Sequence, residues 1–165
     1  MSKIIFETER LIVRHYTNDD LQLFYSLNSD ADVMHYIRKP LSYDESKEFL
    51  QKNILMYSQN PLQGRWAAFD RIGNFVGSFA IIPIGETADI QLGYALLKPF
   101  WGLGYASEMT ASGVQYAIDN NIDPLYAQVE IDHIKSQKVL LKNGFEYLCD
   151  IMQDGKKLYR YLLKR

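Results

Sequence analysis

The chain has 165 residues, 47% of them hydrophobic and 23% charged, which suits one globular domain with its own core and excludes a disordered or collagen-like polypeptide. Eighteen basic against 20 acidic residues leave a formal net charge of −2, without the basic footprint of a nucleic-acid binder. Cys149 is the single cysteine, so an internal disulfide is excluded and a cysteine-based zinc site is not expected.

Near the N-terminus Ile4, Ile5 and Phe6 run into Glu7, too short an apolar stretch for a signal peptide. No apolar run approaches the roughly 20 residues that span a bilayer. The expectation is a cytoplasmic protein with no membrane partner. Residues 10–16 (RLIVRHY) alternate like a strand. Asn18, Asp19 and Asp20 are suited to capping a helix that carries Leu21, Phe24 and Tyr25. Residues 30–37 form a second short helical segment, ended by Pro40. Ser42 followed by Glu45 three residues later is a capping-box pattern, with Phe49, Leu50, Asn53 and Ile54 on one stripe behind it.

Strand signals then dominate. Residues 65–70 and 75–82 flank a turn at 71–74 and read as a hairpin. Residues 88–97 make a further strand. A glycine-rich turn, residues 98–107 (KPFWGLGYAS), leads into a helix over 106–120. A strand over 125–131 precedes a helix over 134–143, closed by Gly144. Two last strands flank Asp154-Gly155, a strong hairpin signal. The pattern predicts one α/β domain over residues 1–165, with a mixed central sheet of about seven strands.

The turn carries the chemistry. Gly102 and Gly104 alternate with large residues just before a helix start, where unpaired N–H groups and a partial positive charge favour an anion. The physical reading is a diphosphate site. A P-loop requires Gly-Lys-Ser/Thr, and here Tyr105 and Ala106 follow Gly104. A dinucleotide fingerprint requires a third glycine, and Ser107 stands there. The third possibility is the acetyltransferase turn Arg/Gln-x-x-Gly-x-Gly/Ala, whose three key places are held here by Trp101, Gly104 and Ala106.

On these residues the chain resembles the GNAT superfamily of N-acetyltransferases, and within it the subgroup of ribosomal-protein alanine and serine N-acetyltransferases. Residues 8–14 (TERLIVR) look like that subgroup's opening strand. Residues 92–94 (LGY) and 100–108 (FWGLGYASE) look like its central signature. Ser136 with Lys142-Asn143-Gly144-Phe145 looks like its late signature. The resemblance implies a GNAT-type, mostly antiparallel sheet with helices on both faces and two parallel central strands splayed apart to take the pantetheine arm.

It also implies acetyl-CoA as cosubstrate, an amine acceptor and no metal. The cofactor-binding candidates are Leu96 and Leu97 through free N–H groups, the turn residues Trp101, Gly102, Leu103, Gly104, Tyr105, Ala106 and Ser107, then His133, Ser136 and Lys138. Lys135, Lys138 and Lys142 share a helical face suited to the 3′-phosphate or simply to solvent. Catalytic candidates are Ser136 as proton donor to the departing thiolate, with Glu130 and His133 as bases; Asp89 is a further base acting through water. The tyrosine that many GNAT enzymes use four residues after this serine is replaced by Leu140, the usual Asn by His133, and a frequent Glu by Gln91.

Glu108 reads as a helix-start carboxylate rather than a base. Met34, His35, Tyr36 and Ile37, with Trp66 and Tyr94, are candidate lining for the acceptor pocket. A peptide or protein N-terminus is the favoured acceptor, with polyamines, amino acids and amine antibiotics as small-molecule alternatives. A non-catalytic acyl-CoA-binding module is the competing class, favoured by the same three replacements. A monomer or a homodimer is expected.

Overall fold

The computed structural model describes residues 2–165. Its eight strands form one sheet in the order β1-β2-β3-β4-β5-β6-β8-β7. They are β1 Ile4–Glu7, β2 Leu11–His15, β3 Gly64–Asp70, β4 Phe75–Pro83, β5 Ile90–Leu96, β6 Leu125–Glu130, β7 Phe145–Gln153 and β8 Lys156–Leu163. Helices α1 Leu21–Asn28, α2 Ala31–Met34 and α3 Tyr43–Gln59 connect β2 to β3, α4 Tyr105–Asp119 connects β5 to β6, and α5 Ile134–Lys142 connects β6 to β7. No helix of the described residues is long and apolar enough to cross a membrane.

The sheet has one strand more than expected. Ile4–Glu7 pairs antiparallel with β2 at the sheet edge. Four residues give too little alternation to mark a strand without their partner. The β5/β6 pair is parallel and every other neighbouring pair is antiparallel, as the mixed-sheet expectation required.

Alternation along the strands sorts side chains onto two faces. Trp66, Phe79, Leu92, Leu96, Leu125 and Val129 point to the face covered by Met109 and Ala117 of α4 and Leu140 of α5. Ala67, Phe75 and Ala95 point to the face covered by Phe24 and Leu27 of α1, Val33 and Met34 of α2 and Leu50 of α3. Trp66 is fully buried and stacked near Phe79, so its side chain fills the core and does not line a pocket. Gly113 lets α4 settle on the sheet, because a Cβ there would lie 2.1 Å from Phe79 Cζ.

The capping box at α3 forms as its sequence predicts: Glu45 N–H donates to Ser42 Oγ (3.1 Å) and Ser42 N–H to Glu45 Oε2 (2.7 Å). It fixes where α3 starts, and so where Asn53 meets the sheet. Asn53 accepts from Arg65 N–H and donates to Arg65 C=O, both at 3.0 Å. The last β2 residue paired to β3 is His15, opposite Trp66. One residue further along β3, the Asn53 amide takes the place of the missing strand and satisfies both backbone groups of Arg65.

Candidate active site

The parallel β5/β6 pair sets the geometry. Its register runs only through Ile90↔Leu125 and Gln91↔Tyr126, and beyond Gln91 the two strands part. On the other side of β5, Leu97 N–H donates to Val76 C=O at 2.9 Å. With Leu96 opposite Gly77, antiparallel alternation turns the backbone groups of Ala95 and Leu97 toward β4, and those of Tyr94 and Leu96 toward the fork. The expected free N–H at Leu97 is therefore absent, because that strand edge is already paired; the one at Leu96 faces the opening.

At the end of β5, Lys98, Pro99 and Phe100 make one 3-10 turn, and Gly102 (φ +72°) and Gly104 (φ +83°) adopt left-handed conformations. Gly104 caps α4 without a side chain. The first helical hydrogen bond runs from Glu108 N–H to Gly104 C=O. The N–H groups from Gly102 to Ser107 have no acceptor among the described residues, and a Cβ at Gly102 would meet nothing within 4 Å. Successive unpaired N–H groups at a helix start form an anion-binding concavity.

Side chains brace this turn from outside. Arg10 Nε pairs with Glu108 Oε2 at 2.6 Å, its Nη1 donates to Leu103 C=O at 2.9 Å, and its guanidinium lies 4.2 Å from the Tyr105 ring centroid. Thr8 Oγ1 and Arg10 N–H donate to Glu108 Oε1. Glu108 is a structural carboxylate that ties the β1–β2 connection to the turn. The early motif and the central one meet here in space.

Trp101 Nε1 donates to Leu96 C=O at 2.8 Å, which staples the turn to β5. The indole N–H is thus engaged within the protein. Asn143 of α5 donates to Ser107 Oγ at 3.2 Å, which also gives the Ser107 side chain a structural task. Lys98 pairs with Asp32 at 2.8 Å and anchors α2. Lys135, Lys138 and Lys142 are exposed, and none is in an ion pair among the described residues.

A cavity of about 310 Å³ opens at the fork. Tyr94, His133 and Ser136 lie on its wall, with Glu130 at the end of β6. The Tyr94 hydroxyl is 2.9 Å from Ser136 Oγ. Burial raises the Tyr94 phenol above its ordinary range despite the Ser136 hydrogen bond, so it stays protonated at neutral pH. Leu140 is buried in the core and leaves no hydroxyl on that turn of α5. A tyrosine nevertheless reaches the serine, from β5.

His133 stacks on Tyr36, with ring centroids 4.2 Å apart and planes 10° from parallel. Burial lowers its pKa, outweighing the nearby Glu130, so it is neutral near pH 7. Glu130 pairs with Lys156 at 2.9 Å. Met34, Tyr36 and Ile37 line the same cavity, and His35 lines a second depression beside it.

Two cavity residues escaped the sequence reading. Arg38 donates from Nη1 to Asn28 Oδ1 at 2.7 Å. Arg65 has no side-chain hydrogen bond or ion pair among the described residues, and its guanidinium lies over the Phe49 ring, 4.8 Å from the centroid. Neither shows a motif, because an isolated arginine looks like any solvated charge until the chain folds over it.

Residues 10–146 match the acetyltransferase (GNAT) domain family. The chain is 28% identical over 151 residues to the uncharacterized N-acetyltransferase YoaA of Bacillus subtilis, covering 86% of this chain and 82% of that protein. Solved acetyltransferase structures share its fold. Spermidine N-acetyltransferase from Vibrio cholerae, in complex with CoA and spermine, has a TM-score of 0.78 at 20% identity, with 93% of this chain and 95% of that one covered. Ribosomal-protein-S5-alanine acetyltransferase from Vibrio fischeri has a TM-score of 0.79 at 16% identity, with 98% and 95% covered. The family match spans both the phosphate-type turn and the forked strands, and the chain belongs to the GNAT acetyltransferase family, as an acyltransferase enzyme.

Proposed function

We propose that the chain transfers the acetyl group of acetyl-CoA directly to a primary amine, a peptide or protein α-amine being the acceptor. The observation that carries this reading is the run of unpaired N–H groups from Gly102 to Ser107, opening beside the β5/β6 fork. The site fits a diphosphate-bearing cosubstrate, since the space a Cβ would take at Gly102 is open. Backbone N–H groups of Gly102, Leu103, Gly104, Tyr105, Ala106 and Ser107 hold the pyrophosphate, and Lys138 meets the 3′-phosphate. Leu96 N–H meets the pantetheine arm. When bound, acetyl-CoA supplies an activated acyl group.

The remaining roles fall to side chains of the cavity. The Tyr94 phenol holds a proton and Ser136 Oγ, at hydrogen-bond distance from it, passes that proton to the departing sulfur. Glu130, or neutral His133, takes the proton from the attacking amine. The backbone N–H of Tyr94, also turned toward the fork, is the donor available to a developing oxyanion. Alignment of both substrates in the fork supplies much of the rate. A peptide acceptor is supported by the second depression, which shares Met34, Tyr36 and Glu130 with the cavity and continues past Lys39 and Asp154, giving an extended chain a way out.

Purified protein, acetyl-CoA and a panel of amines and N-terminal peptides test the reading through free-thiol release and product mass. Peptide-dependent thiol release with an added acetyl group is expected. Absence of acetyl-CoA binding at millimolar concentration overturns the cosubstrate, and preferential turnover of polyamines overturns the acceptor.

A further inference from the structure

We infer that the acceptor carries a carboxylate, held by Arg38 and Arg65 while its amine reaches the β5/β6 fork. This rests on the acetyl-transfer reading above. Both arginines line the active-site cavity, both are partly buried, and neither is in an ion pair among the described residues. They flank the same ring: the Arg38 guanidinium is 5.1 Å from the Phe49 centroid and that of Arg65 is 4.8 Å. Two like charges in one partly enclosed space repel and are poorly hydrated, an arrangement that favours an anion.

The protein's own carboxylates do not supply that anion. Asp20 is bound to Arg14 in a two-pronged pair. Glu130, the one carboxylate on the cavity wall, is paired with Lys156. Burial, with Arg38 adding to it, brings the Arg65 guanidinium down to about 10, so it remains charged at neutral pH.

The arginines are also positioned. Buried Asn28 accepts from Arg38, and buried Asn53 grips both backbone groups of Arg65. A residue that lines a cavity with its main chain fixed on both sides, while its guanidinium has no hydrogen-bond or ion-pair partner among the described residues, is arranged for a ligand rather than for the fold. Across the sheet, Arg65 stands opposite Ala80, and Ala80 opposite Gly93. These two small residues leave a shallow lane from Arg65 to β5. Adjacent strands are about 4.8 Å apart, so the lane suits an acceptor with its anion a few bonds from its amine, as in a peptide whose N-terminal segment has an acidic side chain. A polyamine would bring positive charge against both guanidinium groups.

Two measurements on the full chain test this. In calorimetry with CoA present, succinate and 1,4-diaminobutane serve as probes; succinate binding is expected, weakened about 10-fold or more in R65Q and R38Q. In kinetics, C-terminally amidated peptides beginning with Asp or Glu are compared with their Asn or Gln counterparts. The acidic peptides are expected to show the lower KM, and each Arg→Gln change to remove that preference while acetyl-CoA binding is retained; R65K restores part of it. Thermal melting verifies that the variants fold.

Turnover with no preference for the acidic peptides, or a preference unmoved by both variants, overturns the inference and leaves acetyl transfer standing. Absence of Arg-dependent succinate binding overturns it too. Arg-dependent succinate binding without any acetyl-CoA binding supports the anion site and overturns the acetyl-transfer reading instead.

Discussion

The hydroxyls of Tyr94 and Ser136 lie 2.9 Å apart, from residues 42 positions apart in the chain. Tyr94 belongs to the forked strand β5 and Ser136 to α5, so the contact exists only because α5 packs on that face of the sheet. Burial keeps the phenol protonated and Ser136 lines the cavity; in the proposed reaction the pair acts as a proton relay rather than as two independent acids.

A relay has a kinetic signature. Y94F and S136A are each expected to lower kcat about 10- to 100-fold with little change in the acetyl-CoA KM. The double variant is expected to be no slower than the worse single one, because groups that act as a unit are not additive. Steady-state kinetics on the three variants check this; multiplicative losses would separate the two roles.

At the turn, Gly104 (φ +83°) heads α4. G104D forces a branched side chain into a left-handed conformation with its Cβ 3.4 Å from Arg10 Nη2, where its carboxylate competes with Glu108 for the guanidinium that braces the turn. Acetyl-CoA affinity is expected to fall about 10-fold or more by calorimetry, from backbone strain and the disturbed brace together. G102A puts a methyl group into the space left open for the diphosphate; acetyl-CoA affinity is expected to fall about 10-fold or more, while fold stability loses only the conformational strain, about 1 kcal/mol.

The Glu108 brace predicts a pH dependence. Burial pushes its carboxyl up, but the Thr8 hydroxyl, the Arg10 N–H and the Arg10 guanidinium outweigh it, so its pKa is lowered. A depressed folded-state pKa means the contribution to stability is fully present above the ordinary glutamate value, about 4.3, and is lost as pH falls through the lowered value. E108Q is therefore expected to lower Tm more at pH 7 than at pH 3. Equal losses at both pH values would mean that the charge is not what stabilises the turn.

Packing of α4 on the sheet gives a fourth test. A Cβ at Gly113 would lie 2.1 Å from Phe79 Cζ, and Phe79 is fully buried with no room to yield. G113A is expected to destabilise by about 1–3 kcal/mol in chemical denaturation. F79L in the same chain is expected to recover part of that loss.

Much of the fold was legible because its signals are local. Ser42 and Glu45 lie three residues apart, and their capping box forms from sequence proximity alone. Asp154-Gly155 turns β7 into β8 because a left-handed pair of residues closes a tight hairpin. Gly102 and Gly104 marked a turn with unpaired N–H groups because a helix start depends on the backbone, and glycine leaves the backbone exposed.

Other features had no local mark. Ile4–Glu7 becomes a strand only when β2 lies beside it. Leu97 looked free to bond a cosubstrate, and its N–H belongs to Val76. Trp101 stands where a polar residue is usual, and its indole is spent on Leu96 C=O. Leu140 replaces the tyrosine expected four residues after Ser136, and Tyr94, read from sequence only as pocket lining, reaches Ser136 from another element.

The sequence by itself determined the family and the glycine-rich turn at the head of α4, since both depend on short runs whose backbone geometry follows from residue type. The tertiary structure alone decided which charges surround the cavity at the fork. Arg38 follows α2 and Arg65 lies on β3, and each reads in one dimension as an ordinary surface charge. Folding places both at Phe49, over one cavity and without a carboxylate partner among the described residues. The electrostatic character of a pocket is a sum over residues distant in sequence, and no single segment contains it.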